Sequence, residues 1–145
     1  MQFSDLLQNR LIVHSLAAWA AAQIIKTIIY AIAHRELDWE RLFGDGGMPS
    51  GHSATVTALA VTAAAEYGLS SGIFAVAAIL AIVVMHDAMG VRLEAGKHAK
   101  ALNELMDLVI SEELSPDDKL KELLGHTPLQ VCFGALLGLV IALIL

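Results

Sequence analysis

Cysteine, aromatic residues and charge are all scarce in this 145-residue chain. The one cysteine, Cys132, excludes an internal disulfide and a cysteine-rich zinc site. Aromatic residues make up 6% of the chain, which leaves little material for stacking on nucleic-acid bases. The formal net charge of −6, without a dominant basic stripe, also argues against a nucleic-acid partner. Charged residues reach only 17%, whereas soluble domains average about 25%.

Hydrophobic residues, in contrast, make up 57% of the chain, and its mean hydropathy is +0.65. A helix needs about 20 largely apolar residues to cross the hydrocarbon core of a bilayer. Four segments approach or reach that length: Leu11–Ala33, Ser53–Tyr67, Ile73–Met89 and Leu129–Leu145. The first is too long for a cleaved signal peptide and contains a lysine. We therefore predict an all-α, multipass membrane helix bundle with about four spans, organised as one domain over residues 1–145.

The residues between the third and fourth spans follow a different pattern. Apolar side chains recur there at steps of three and four, which is typical of an amphipathic helix that lies at a membrane surface or projects from it. They are Leu102, Leu105, Met106, Val109, Ile110 and Leu114. Ser115 and Pro116 then supply a cap and a first helical residue, and Gly125 supplies a stop. This pattern predicts a short capped helix over Pro116–Leu124.

Counting the spans predicts which segments share a side of the membrane. The N-terminus, the turn Gly68–Gly72 and the C-terminus fall on one side, which carries only Arg10. The loop His34–Gly51 and the segment Arg92–His126 fall on the other side, with most of the basic residues. The positive-inside rule makes this second side cytoplasmic, although basic residues retained for a functional site would give the same bias.

The most informative stretch is GGMPSGHSA, residues 46–54. Its glycines and proline predict a tight loop directly before a helix, and free backbone N–H groups at a helix start bind phosphate. Ser50 can add a hydroxyl donor. His52 lies one turn from such an anion, where its imidazole could donate a proton to a leaving oxygen. The alternative interpretation is a capped turn whose polar residues only face water.

A second set of polar residues falls on the same side of the membrane. Lys26 lies about 10 Å inside the end of the first span, at 1.5 Å per residue. Its amine could extend to the interface or point into the bundle, and Gln23 on nearly the same face slightly favours the second choice. Asp87 and Arg92 could form a structural ion pair, or Arg92 could bind phosphate as a bidentate donor. His126 precedes the last span, beside the free backbone donors of its first turn.

The other histidines offer no comparable arrangement. His86 is better interpreted as an interfacial residue, and no partners are identified for His14, His34 and His98. No histidine pair has ligand spacing with a matching carboxylate on one helix face, so we predict no metal site.

Three stretches together resemble one family: GGMPSGHSA, DAMGVR from Asp87 to Arg92, and KELLGHTP around His126. They are similar to the divergent branch of the type 2 phosphatidic acid phosphatases, which is related to acid phosphatases and vanadium-dependent haloperoxidases. The resemblance extends from the first span to the last. It implies hydrolysis through a phosphohistidine, with no cofactor and no metal required.

The resemblance also implies a role for each matching residue. Ser50 and Gly51 correspond to the residues that bind phosphate, and His52 corresponds to the general acid. Lys26 resembles the lysine of the first motif, which also binds phosphate. His126 resembles the nucleophile of the third motif, which would attack phosphorus.

The chain departs from the parent pattern at several positions. Leu120 stands where the third motif has its arginine, and Gln130 stands where that motif has an aspartate. The Arg-Pro pair that should follow the first-motif lysine is also absent. We expect Arg92 to replace a missing arginine and Asp87 to orient His126, which would otherwise lack a carboxylate to hold its tautomer.

The leading hypothesis is a multipass phosphatase acting on a lipid phosphate, such as phosphatidate, phosphatidylglycerophosphate or a polyprenyl phosphate. One alternative is a non-catalytic membrane protein that binds anionic lipid headgroups. Another is a small transporter that uses Lys26 and Asp87 as an intramembrane charge path. The expected partners are the lipid substrate and the bilayer, and a homodimer is compatible with so thin a bundle. The phosphatase hypothesis requires His52 and His126 to lie within about 10 Å of each other, at one end of the bundle.

Overall fold

The computed structural model describes residues 3–36, 39, 47–109, 119–120 and 125–145. Every regular element in that part of the chain is a helix. The helices are α1 (Phe3–Gln8), α2 (Arg10–His34), α3 (Gly51–Tyr67), α4 (Gly72–Met89), α5 (Val91–Val109) and α6 (Pro128–Ile144). The four predicted spans correspond to α2, α3, α4 and α6, with ends that agree within two residues. Short helix α1 was not predicted.

Local hydrogen bonds explain where these helices begin. Asn9, Ser50 and Ser71 precede α2, α3 and α4, and each side chain accepts a hydrogen bond from the backbone N–H three residues later. Thr127 does the same for α6. Pro128 occupies the first turn of that helix, where its lack of a backbone N–H leaves no donor without an acceptor. By length and composition, α2 and the continuous α4–α5 segment could cross a bilayer, and α6 is a shorter apolar helix.

The central helix is α3, the least hydrophobic of the four predicted spans, which packs against α2, α4 and α6. Its small residues allow this position, because they let neighbouring backbones approach closely. Ala54 and Ala58 are fully buried against Ala18 and Ala22 of α2. Large aliphatic side chains instead cover the outside of the bundle, as helix bundles in lipid require.

Two glycines of α6 bring that helix directly onto α3. A Cβ atom added at Gly134 would collide with the carbonyl oxygen of Ser50, and one at Gly138 would collide with the carbonyl oxygen of Ala54. No side chain larger than hydrogen fits at either position. The Gly-x-x-x-Gly spacing therefore fixes α6 beside the first turns of α3, a contact that the sequence analysis did not identify.

Helix α5 begins directly after α4, with only Gly90 between them. Its buried positions are Gly96, Ala99 and Asn103, whereas Leu102 and Leu105 of the predicted apolar stripe are exposed. Small and polar residues therefore face the protein, and the apolar stripe faces outward. Ile110 and Leu114 lie outside the described residues.

The predicted helix Pro116–Leu124 needs a correction at the two positions that the structure describes. Lys119 and Leu120 are not helical. The reason is that the Asn103 side chain takes both backbone groups of Leu120: Nδ2 donates to the carbonyl, and Oδ1 accepts from the N–H, each at 2.9 Å. The rest of the predicted helix lies outside the described residues.

The bundle has two distinct ends. At one end, Arg10 forms an ion pair with Glu66 at 2.7 Å and donates to the carbonyl oxygen of Leu145 at 3.3 Å. At the other end, the N–H of Ser50 donates to the carbonyl of Gln130 at 3.1 Å. The N-terminal part of α2, the end of α3 and the C-terminus therefore lie together, as the span count predicted.

Candidate active site

The loop before α3 folds over the buried part of α2. Gly47 has a positive φ of 80°, which favours glycine, and its Cβ position would lie 3.2 Å from Cγ of Lys26. Ser50 is fully buried, and its hydroxyl accepts hydrogen bonds from the N–H and hydroxyl of Ser53. The loop is thus fixed between the Lys26 stem on one side and α6 on the other.

Lys26 lies inside the protein and not along its surface. Only 6% of the residue is exposed, so the snorkelling alternative does not describe this side chain. Gln23 is buried to the same extent, and its Oε1 lies 3.9 Å from the Cβ position of Gly51. Among the described residues, this oxygen has no hydrogen-bond partner. The inner face of α2 therefore presents an amine and an amide near the start of α3.

The structure brings His52 and His126 together from distant parts of the sequence. Their ring centroids are 5.7 Å apart, with an edge-to-face angle of 77°. His52 is half-buried in the first turn of α3, and His126 is only 2% exposed. The backbone N–H of His126 donates to the carbonyl oxygen of Ala88 at 2.9 Å, which holds this residue against the end of α4. The separation meets the 10 Å condition of the sequence analysis.

Asp87 lies at the end of α4, which meets His126, and Arg92 follows at the start of α5. Asp87 is half-buried in the last turn of α4 and directly precedes Ala88. Arg92 is the second residue of α5, and its side chain lies outside the described part of the structure. The predicted Asp87–Arg92 pair therefore lies outside the described residues. The backbone nonetheless places both residues at the same end of the bundle as His52.

The remaining histidines are either hydrogen-bonded elsewhere or exposed. The His14 ring forms a buried hydrogen bond of 3.0 Å with Thr62, in the half of α3 remote from His52. His34, His86 and His98 are exposed. Within the described ranges, no group of three or more His, Cys, Asp or Glu residues is placed to hold a metal ion.

This arrangement suits chemistry on an oxyanion. At a ring separation of 5.7 Å, one small anion could accept a hydrogen bond of about 3 Å from each imidazole. Both α3 and α6 begin beside the rings, and a helix N-terminus favours negative charge. A buried lysine on the neighbouring helix adds positive charge where water is scarce and electrostatic interactions are strong.

Comparison with known proteins agrees with the family suggested by the motifs. Residues 7–141 match the family model described as "Divergent PAP2 family". The chain belongs to the divergent PAP2 family. It is also 45% identical, over 152 aligned positions, to "Uncharacterized membrane protein YuiD" of Bacillus subtilis (strain 168), covering 97% of this chain and 96% of that protein. No solved structure matches the chain.

Leu120 and Gln130, at which this divergent PAP2 protein departs from the parent pattern, make local hydrogen bonds instead. Gln130 completes a capping box with Thr127: Oε1 of Gln130 accepts from the Thr127 N–H at 2.9 Å. Leu120 is held through its backbone by Asn103. Gln130 thus fixes the start of α6 next to His126, and the capping-box spacing in the sequence was its signal.

Proposed function

We propose that this protein is a membrane-embedded hydrolase that removes phosphate from a lipid phosphate through a phosphohistidine. The observation that carries the proposal is the 5.7 Å separation of the His52 and His126 rings, at one end of an apolar helix bundle. Membership of the divergent PAP2 family supports the same chemistry. The chain would be a multipass protein of the cell membrane, with its site at the bilayer boundary and facing the cytoplasm.

In the proposed reaction, a ring nitrogen of His126 attacks phosphorus and forms a P–N bond. The P–O bond to the lipid breaks, and His52 donates a proton to the departing alkoxide, which leaves as the alcohol. Water then attacks the phosphohistidine, gives a proton to His52, and inorganic phosphate is released as the P–N bond breaks. This sequence returns both histidines to their starting states.

The other site residues would stabilise charge on the phosphoryl oxygens. Lys26 supplies an ammonium group, Ser50 a hydroxyl, and Gly51 a backbone N–H at the start of α3. Arg92 would add a bidentate donor from the start of α5. Asp87 would orient His126 as the nucleophile, because a carboxylate fixes the tautomer of its partner imidazole.

The proposal predicts phosphate release by the purified protein in detergent. Phosphatidate, phosphatidylglycerophosphate or a polyprenyl phosphate should be hydrolysed without added metal, and vanadate should inhibit because it mimics five-coordinate phosphorus. His126→Ala and His52→Ala should each abolish release, since one removes the nucleophile and the other the proton donor. Inorganic phosphate is the measured product.

His14→Ala provides a matched control, because His14 is 3% exposed, close to the 2% of His126. This variant loses a buried imidazole in the other half of the bundle and should retain phosphate release. Unchanged turnover in His126→Ala would reject the mechanism. A wild-type protein that binds lipid-phosphate vesicles but releases no phosphate would instead be a headgroup-binding protein.

A further inference from the structure

An apolar groove opens on the outside of the bundle between α2 and α6. Its volume is about 400 Å³, within the range of ligand-binding pockets. Ile25 and Ile29 of α2 form one wall, Met48 and Pro49 form one end, and α6 residues from Phe133 to Val140 form the other wall. All eight lining residues in the described part of the chain are apolar. We call this the α2–α6 groove.

The α2–α6 groove adjoins the candidate active site through neighbouring residues in the chain. Ile25 lines the groove, and the next residue, Lys26, is buried on the inner face of α2. Pro49 lines the groove, and the next residue, Ser50, is fully buried at the start of α3. One end of the groove therefore lies beside two buried polar residues of the candidate site, and an apolar groove next to such a site matches the two parts of an amphiphile.

We propose that the α2–α6 groove binds the hydrocarbon chain of a lipid phosphate whose phosphate group is held at Lys26 and Ser50. This inference rests on the proposed function for its headgroup site and adds the path of the chain. Between Phe133 and Val140 the groove follows α6 for about 10 Å, at 1.5 Å per residue. Because surrounding lipid is equally apolar, the groove would act by positioning the phosphate and not by hydrophobic affinity.

A second groove provides an internal control. It has a volume of about 350 Å³, and apolar residues and one glycine from α2, α3 and α4 line it, including Leu11, Leu59 and Val76. This groove lies towards the end of the bundle where Arg10 pairs with Glu66. It adjoins none of the candidate phosphate-binding residues described above. An equally apolar surface without a neighbouring phosphate site should not select lipid phosphates.

Photolabelling tests the proposal on the wild-type protein in detergent micelles. The probe is an alkyl phosphate with a diazirine in the middle of its chain, and peptide mapping identifies the labelled residues. We expect labelling of α2 and α6 around Ile29 and Leu136, and competition by unlabelled alkyl phosphate. The matching alkyl alcohol should label these positions at least several-fold less, and Lys26→Met should remove the difference. Equal labelling by the alcohol, or phosphate-dependent labelling only elsewhere, overturns the proposal.

Chain-length dependence gives a second measurement. Leu136→Trp places an indole in the groove at a position that is 55% exposed, and should lower kcat/KM for a long-chain phosphate roughly tenfold. Hydrolysis of a short, soluble phosphate such as p-nitrophenyl phosphate should remain unchanged. Val76→Trp, in the second groove, should leave both rates unchanged. Equal loss for long and short substrates in Leu136→Trp would contradict the groove assignment.

These measurements separate failure of the groove from failure of the proposed function. Turnover of both substrate classes, with no chain-specific effect, rejects the groove and leaves the phosphatase. Phosphate-dependent labelling of the groove without any turnover retains the groove and rejects the hydrolytic mechanism.

Discussion

At the scale of single residues, the notable feature is the burial of polar groups inside an apolar bundle. Lys26, Gln23 and His126 are each more than nine-tenths buried. Burial of an ionisable or amide group among apolar helices costs free energy, so such residues face the interior and mark functional sites more often than structural ones. Their concentration around the start of α3 supports a binding role for this end of the bundle.

Gln23 gives the clearest test of that argument. Its buried Oε1 lacks a hydrogen-bond partner among the described residues, and a buried unsatisfied oxygen costs about 1–3 kcal/mol. We expect Gln23→Met, which has a similar volume, to raise the free energy of unfolding by about 1 kcal/mol. Phosphate release should fall, because the amide oxygen would accept a hydrogen bond from a protonated phosphate oxygen. Thermal unfolding in detergent and the phosphate assay measure the two effects.

A parallel loss of stability and activity in Gln23→Met would contradict this interpretation. It would show that the amide holds the bundle together and does not serve a bound phosphate.

At the scale of helices, small residues decide which elements meet. Helix α3 has the central position because its small residues, mostly alanines, allow close approach, although other predicted spans are more hydrophobic. Gly134 and Gly138 then place α6 against the backbone of Ser50 and Ala54. The distance between His52 and His126 depends on this contact, since His52 lies in the first turn of α3 and His126 directly precedes the Thr127 cap of α6.

Gly134→Ala should therefore disturb both packing and function. The added methyl group meets the Ser50 carbonyl oxygen, a backbone atom that cannot rotate away, and overpacking of this kind costs about 1–3 kcal/mol. We expect a lower unfolding temperature and a large loss of phosphate release, because Ser50 and His126 would move apart. Gly138→Ala should destabilise to a similar extent but reduce release less, since it lies one turn further from the site.

Gly72→Ala is the control for these variants. Apart from its chain neighbours and the backbone of its own helix, no described atom lies within 4 Å of its Cβ position, so stability and activity should both remain near those of the wild type. Wild-type release by Gly134→Ala would show that the contact between α3 and α6 does not position the site.

At the scale of the whole molecule, the two ends of the bundle differ in chemistry. The segments that follow α2 and α4 at the site end carry the exposed basic residues Arg35, Lys97 and Lys100, and Lys26 is buried in α2. At the opposite end, Arg10 is paired with Glu66. We propose that the site end faces the cytoplasm, because cytoplasmic segments of membrane proteins carry an excess of lysine and arginine.

Cysteine labelling of intact bacterial cells tests this orientation. The experiment uses two single-cysteine variants in a Cys132→Ser background. They are Ser70→Cys, in the turn between α3 and α4, and Glu36→Cys, after α2, and both positions are exposed. A membrane-impermeant maleimide should modify the Ser70→Cys variant before lysis and the Glu36→Cys variant only after it. The reverse order of labelling would show that the site faces outward.

The sequence alone predicted the four long apolar helices well, because apolar runs bounded by Asn9, Ser71 and Thr127 leave little freedom for helix boundaries. It also selected the candidate site residues, through the Pro-Ser-Gly-His stretch and the spacing of the spans, and the structure brings two of them, His52 and His126, together. It did not predict the conformation at Lys119 and Leu120. There the Asn103 side chain, from another part of the chain, replaces the local hydrogen bonds that a helix would have made.

Hydropathy, caps and motifs therefore determined the class of protein, the helices and the identity of its polar residues, because these depend on neighbours in the chain. The inward direction of Lys26, the contact of Gly134 with Ser50 and the approach of His126 to His52 were decided only by the tertiary structure. Each of these depends on which helix faces which. Contact between segments remote in the chain has no local signal strong enough to fix it.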